Sequence, residues 1–211
     1  MTAKVITIAQ QKGGAGKTTL AAHLAVAFAK AGQRVALLDI DPQGSLAEWF
    51  KTRSAAPIAN AHPLHVYDIS GWRVAGEVTR LKSQHDLVII DSPPHAETDA
   101  KVAVRAADLV LIPIQPSPMD VWATAPTVKL AEAERVPILI VLNRVPPRGK
   151  IVDLMRQELA AKKLPVAAAA VGNRIAFAAS MLEGRSVIEQ DPRSAGAEEI
   201  GRLTQEIRAQ F

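Results

Sequence analysis

The sequence predicts an α/β fold: a mostly parallel, twisted sheet covered by helices on both faces, formed by residues 1–211 as a single domain. Three observations lead there. Short apolar runs recur along the chain without polar alternation, the pattern of strands buried on both faces. Longer stretches of helical character separate them, and strand alternating with helix requires parallel strands with crossovers lying over the sheet. The 211 residues are 48% hydrophobic, enough to bury one sizeable core.

In chain order, residues 5–9 form the first strand and pass through a glycine-rich loop into a helix over 17–31. A second strand covers 35–38. Pro57 and Pro63 bracket an irregular stretch that ends near a further strand at 64–67. Strands at 87–90, 109–114 and 138–142 follow, separated by helices over 98–107 and 120–135. Pro146-Pro147-Arg148-Gly149 is a turn, and a helix over 150–163 comes after it. The alanine-rich run 166–171 carries no clear period. The tail, 195–211, places Ile200, Leu203 and Ile207 at helical spacing and reads as a closing helix packed on the sheet. No linker, internal repeat or low-complexity tract divides the chain.

Composition removes several function classes. With no cysteine, a disulfide framework, thiolate-held zinc or iron–sulfur clusters and thiol catalysis are excluded, and a reducing cytosol fits. The 25 Lys and Arg against 21 Asp and Glu leave a net charge of +4, which permits a polyanionic partner without demanding one. The N-terminal apolar run meets Gln10, Gln11 and Lys12 too soon for a signal peptide, and no segment is long enough for a membrane span. Aromatics are 4%, too few for a base-stacking platform on single strands. His23, His62, His65 and His85 are scattered without metal-ligand spacing.

The chemistry concentrates where the first strand runs into Gln10-Gln11-Lys12-Gly13-Gly14-Ala15-Gly16-Lys17-Thr18-Thr19 and then directly into a helix. Glycines let backbone N–H groups turn inward around an anion, and the helix N-terminus adds its partial positive charge. Lys17 can reach β and γ phosphates, and the Thr18 hydroxyl can ligate Mg²⁺. The plain phosphate-loop pattern asks for glycine at position 11, where this chain has Gln; it carries a second lysine, Lys12, instead. Asp39, Asp41 and Asp91 stand at strand ends, where open α/β sheets bind ligands. Taken alone, Asp39 and Asp41 read equally well as strand-end carboxylates or a helix cap.

Lys12-Gly13-Gly14-Ala15-Gly16-Lys17-Thr18-Thr19 resembles the deviant Walker A motif of the ParA/MinD family of P-loop ATPases. Asp39-Ile40-Asp41-Pro42-Gln43-Gly44 is similar to that family's switch I, and Leu87-Val88-Ile89-Ile90-Asp91-Ser92-Pro93-Pro94 to its Walker B and switch II. Gly184-Arg185-Ser186-Val187 and Asp191-Pro192-Arg193-Ser194 resemble its C-terminal blocks, so the likeness covers nearly the whole chain. His95 departs from the small residue usual after the paired prolines and is read as a surface residue.

The resemblance implies a P-loop ATPase that uses ATP and Mg²⁺ and releases ADP and phosphate. Lys17 and the loop amides from Lys12 to Thr19 would hold the phosphates, Thr18 would ligate Mg²⁺ directly, and Asp91 would do so through a water. Asp41 would orient the attacking water; its role is positional, because an ordinary carboxylate is a weak base at neutral pH. Lys12 would cross a face-to-face homodimer to the partner's ATP, much as an arginine finger does, with Gly13 allowing the two backbones to approach. Asn143 would meet the adenine edge with its donor and acceptor, or would serve the turn before Pro146-Pro147.

Three family readings compete: a ParA-type ATPase whose ATP dimer binds double-stranded DNA without sequence preference, a MinD-type membrane ATPase, and a metallocluster carrier. The absent cysteines oppose the third. The second needs a basic amphipathic tail, whereas this chain stops inside its closing helix. The first is favoured, in its short form without an operator-reading extension. Arg148, Lys150, Arg174, Arg185, Arg193, Arg202 and Arg208 are the candidate phosphate contacts. A ParB-like or adaptor protein would stimulate hydrolysis, with a plasmid, chromosome or protein cluster as cargo, in the cytoplasm and on the nucleoid when ATP is bound. A nucleotide-gated scaffold without turnover is the alternative of a different class.

Overall fold

The computed structural model describes residues 3–58, 61–94 and 97–211. His95 therefore lies outside the described residues. Six strands, β1 (Lys4–Ile8), β2 (Val35–Asp39), β3 (Leu64–Asp68), β4 (Leu87–Asp91), β5 (Leu109–Ile114) and β6 (Ile138–Leu142), form one sheet in the order β3-β2-β4-β1-β5-β6. Every neighbouring pair is parallel. The register sets Ile8 beside Asp91, Asp91 beside Asp39 and Asp39 beside Asp68, so three carboxylates line up at the C-terminal ends of adjacent strands.

Side-chain alternation along the strands feeds two cores. Ile6, Ile8, Leu37, Ile89, Leu111 and Val141 pack on one face against α1 (Lys17–Lys30), α2 (Ser45–Ala55), α8 (Ile175–Leu182), α9 (Val187–Gln190) and α10 (Ala195–Arg208). Val5, Leu38, Val88, Ile112 and Ile140 point the other way, to α3 (Val74–Lys82), α4 (Glu97–Ala106), α5 (Pro118–Trp122), α6 (Ala125–Glu134) and α7 (Ile151–Ala161). The parallel sheet with helices on both faces is the architecture that the apolar runs predicted.

Local chemistry explains where the elements depart from expectation. The helix expected over 120–135 is two helices, because Pro126 lacks the N–H that would continue the ladder and sits instead in the first turn of α6. Ser117 opens α5 as its cap, accepting from the Asp120 N–H at 3.2 Å. The alanine-rich run lies extended along β6: the Ala167 N–H donates to Ile140 C=O at 2.8 Å and the Val171 N–H to Leu142 C=O at 2.9 Å. Its outer edge is also occupied. Arg156 donates to the carbonyls of Ala167 and Ala168, and Glu206 accepts the N–H groups of Ala168 and Ala169.

The C-terminal blocks lock α1, α2 and α9 together. Gly184 adopts φ +67°, and a Cβ there would collide with the Arg53 backbone. Arg53 forms a buried two-pronged pair with Glu189 at 2.7 and 2.8 Å. Burial works to raise the Glu189 carboxyl, but the Arg53 guanidinium and the Ser186 N–H outweigh it and leave that pKa below the usual range. His23 on α1 accepts from the Val187 N–H at 3.2 Å, and burial pushes its pKa down to about 4, so it is a neutral core histidine.

Candidate functional site

Gly14 and Gly16 take φ +77° and +88°, the left-handed region that turns the loop between β1 and α1 back on itself. Gly16 is doubly constrained, since a Cβ there would lie 2.5 Å from Asn143 Nδ2. Lys17 opens α1, and its buried ammonium donates to the Gln10 carbonyl at 3.2 Å. Desolvation lowers its pKa, opposed by the nearby Asp91 and Asp41 carboxylates.

Next along α1, Thr18 Oγ1 donates to Asp91 Oδ2 at 2.6 Å. Asp91 is fully buried, its Oδ1 has no hydrogen-bond partner, and its pKa is pushed up to about 7, chiefly by burial, with the Thr18 hydrogen bond opposing and Asp39 adding to the rise. A hydroxyl beside a carboxylate with one vacant oxygen fits a hard divalent cation such as Mg²⁺. Among the described residues no three carboxylates or imidazoles form a metal cage, so water and phosphate oxygens would complete the shell.

Asp39 does the work of a cap: Oδ2 accepts the Ala47 N–H at 2.9 Å and Oδ1 the Asp41 N–H at 3.1 Å, and burial raises its pKa. It thereby fixes the loop that carries Asp41. Asp41 is half-buried, and its Oδ1 accepts the Gln43 N–H at 3.0 Å. Asn143, at the end of β6, donates to the Ala15 carbonyl at 2.8 Å and accepts from the Arg144 N–H at 3.0 Å. Its amide oxygen is thus bound to the turn and its nitrogen braces the phosphate loop, leaving the second N–H as the free donor. A pocket of about 290 Å³ opens beside it, lined by Gly16, Thr19, Asn143, Arg174 and Phe177 among others. Ala15 is buried, while Gly13 and Gly14 are exposed, and a Cβ added to either would meet nothing within 4 Å.

Lys12 does not join Lys17. Its ammonium pairs with Asp120 of α5, a buried carboxylate that also accepts from Ser117 Oγ at 2.5 Å and the Gln115 N–H at 3.3 Å. Nothing in the sequence marked Asp120 as the partner of Lys12, because the two are 108 residues apart. Asp68, the third carboxylate of the strand-end row, was also missed; its signal was its position closing an apolar strand.

The candidate phosphate contacts are scattered. Arg148 and Lys150 are exposed around the turn before α7. Arg202 pairs with Glu198 at 3.4 Å and Arg185 with Glu183 at 3.6 Å. Arg193 and Arg208 line one groove between α1 and α10, joined there by Lys30, which sequence reasoning did not select. Arg174 is bound to Glu199 at 2.6 Å and lines the pocket beside Gly16.

Comparison with known proteins agrees with this geometry. The CobQ/CobB/MinD/ParA nucleotide binding domain matches residues 6–187. The chain is 29% identical to the maintenance of carboxysome distribution protein A of Halothiobacillus neapolitanus over 96% of this chain and 95% of that protein. It is also 29% identical to the chromosome-partitioning ATPase Soj of Thermus thermophilus, over 97% and 95%. The septum site-determining protein MinD of Pyrococcus horikoshii, solved with Mg-ADP, superposes with a TM-score of 0.76 at 20% identity, covering 97% of this chain and 96% of that one. The protein is an ATP hydrolase, and the chain belongs to the ParA/MinD family of P-loop ATPases.

Proposed function

We propose that this positioning ATPase acts as an ATP-dependent homodimer that holds double-stranded DNA without reading its sequence, and that hydrolysis ends the attachment. The observation that carries the reading is the convergence of Lys30, Arg193 and Arg208 on one groove of about 610 Å³ between α1 and α10. Cations gathered on a helix-walled groove suit a phosphate backbone, and a dimer presents two such grooves. Against a lipid surface, the apolar face of α10 is not available: Ile200, Leu203 and Ile207 are fully buried, and no described helix is long and apolar enough to cross a membrane.

In the proposed reaction, the loop amides and Lys17 neutralise the β and γ phosphates and orient the γ group for attack. Thr18 and Asp91 would hold Mg²⁺, which would supply charge neutralisation at the phosphate oxygens. Asp41, fixed by Asp39 and Gln43, orients the water. Lys12 acts on the partner's nucleotide, and to do so it exchanges Asp120 for the partner's phosphates. An adaptor protein stimulates turnover and links the dimer to its cargo, a DNA locus or a protein assembly, as the names of the partitioning and carboxysome-distribution relatives suggest.

The test uses Asp41→Ala, which should bind ATP, dimerise and fail to hydrolyse. Its ATP form should shift two DNAs of unrelated sequence equally, with binding that collapses as salt rises, while its ADP form should not. Arg193→Glu should weaken both complexes without preventing dimerisation. Binding to anionic liposomes without DNA binding would replace this reading with the membrane one.

A further inference from the structure

The pocket beside the phosphate loop has one wall that the loop does not build. Val171, Gly172, Asn173 and Arg174 run past the end of β6 into α8, and α8 turns Phe177 into the same space. Arg174 lines this pocket and also an open cavity of about 960 Å³ on its other side, so its side chain is the partition between them. The partition is held from outside by α10.

Glu199 of α10 holds it with both carboxylate oxygens. Oε2 accepts the Gly172 N–H at 3.0 Å, and Arg174 donates through Nε at 3.1 Å and Nη2 at 2.6 Å. The Glu199 side chain is only 10% exposed while Arg174 is 42% exposed, so the carboxylate is the buried, fixed member of a two-pronged pair whose geometry is specific. Two glycines admit the arrangement. A Cβ on Gly172 would lie 3.0 Å from Arg174 Nε and 3.2 Å from Glu199 Oε1, and one on Gly196 would lie 3.1 Å from Val187 Cγ2 and 3.4 Å from Phe177 Cζ. The first turn of α10 is thereby seated directly against the residues that form the pocket wall.

We infer that Glu199 is a positioning residue for base recognition: it fixes the Gly172–Arg174 wall so that the pocket selects a purine base, and it makes α10 part of the nucleotide site. The inference rests on the reading of the adjoining loop as the triphosphate site. A flat, rigid ligand is discriminated by a wall that does not move, and among the described residues the wall has no other charged anchor in its hydrogen bonds.

The phosphate and base contributions separate with two probes, ATP and inorganic tripolyphosphate with Mg²⁺. Glu199→Gln preserves the shape and one acceptor for the Gly172 N–H but removes the charge that holds the guanidinium. It should weaken ATP and ADP binding about five- to tenfold and narrow the preference for ATP over UTP, with tripolyphosphate affinity within about twofold of the parent. Gly172→Ala, which displaces the pair sterically, should show the same split. Unchanged ATP affinity and base preference in both variants would overturn the inference, as would an equal loss for ATP and tripolyphosphate. A parent protein that binds neither probe would instead refute the phosphate-loop reading, and this inference with it.

Discussion

Replacing Asp91 with asparagine should stabilise the ligand-free protein while destroying its response to Mg²⁺ and ATP. The carboxyl is fully buried, Oδ1 has no partner, and its pKa is pushed up to about 7. An acid raised in the folded state is penalised in its charged form: the contribution to stability is fully present below the unfolded value near 4 and is lost as pH rises through about 7. A rise of roughly three pH units corresponds to at most about 4 kcal/mol at pH 8. Asparagine keeps an oxygen to accept from Thr18 Oγ1 but brings a buried amide N–H₂ to the vacant side, so about half of that, ~2 kcal/mol, is expected to survive. For a chain of this length that is a rise of about 4–8 °C in Tm. Calorimetry of parent and variant at pH 4.5 and pH 8, each with and without Mg-ATP, reads the effect. The gap between variant and parent should be widest at pH 8 without ligand and small at pH 4.5, and Mg-ATP should stabilise only the parent. A variant less stable than its parent at pH 8, or a gap independent of pH, would refute the reasoning.

Three further substitutions probe the rest of the site and the core. Lys17→Ala removes the cation from the phosphate loop and should abolish Mg-ATP binding in isothermal titration; affinity equal to the parent's would mean that the loop does not hold the triphosphate. Lys12→Ala should leave ATP binding by the monomer intact but impair ATP-dependent dimerisation in sizing chromatography together with turnover, and normal dimers with normal turnover would remove its role across the interface. Arg53→Ala leaves Glu189 charged and buried without its partner and should cost about 3–5 kcal/mol in urea unfolding at pH 7, a loss that should shrink as pH falls and the carboxyl becomes protonated.

How much was legible in the sequence follows from what is local. Strands β1, β2, β4, β5 and β6 were readable because each is a short apolar run buried on both faces, and the phosphate loop because its glycines, lysines and threonines are contiguous. The helices α2, α3, α8 and α9 were not assigned: α2 is led by a left-handed Gly44 that offers no side chain of its own, its capping carboxylate coming from Asp39 before the loop, and α9 is a single turn held by a capping box. What joins distant parts of the chain was invisible. Asp120 reaches Lys12 and Glu199 reaches Arg174 only after the fold has formed, so the carboxylate partners of both cations could not be read from the sequence.

The alanine-rich segment beside β6 has a consequence for how copies of this protein meet. An open parallel sheet ends in a row of unsatisfied amides and carbonyls, and such a row invites another chain to add itself as a further strand, with no built-in means of letting go. Here Arg156 caps the carbonyls and Glu206 the amides of that segment, so this border offers no template for backbone pairing. Encounters between copies are thereby steered away from this border to surfaces made of side chains, whose complementarity a small molecule can create and its cleavage can undo. The proposed ATP-dependent dimer, which would have to come apart at each turnover, is served by a sealed sheet border.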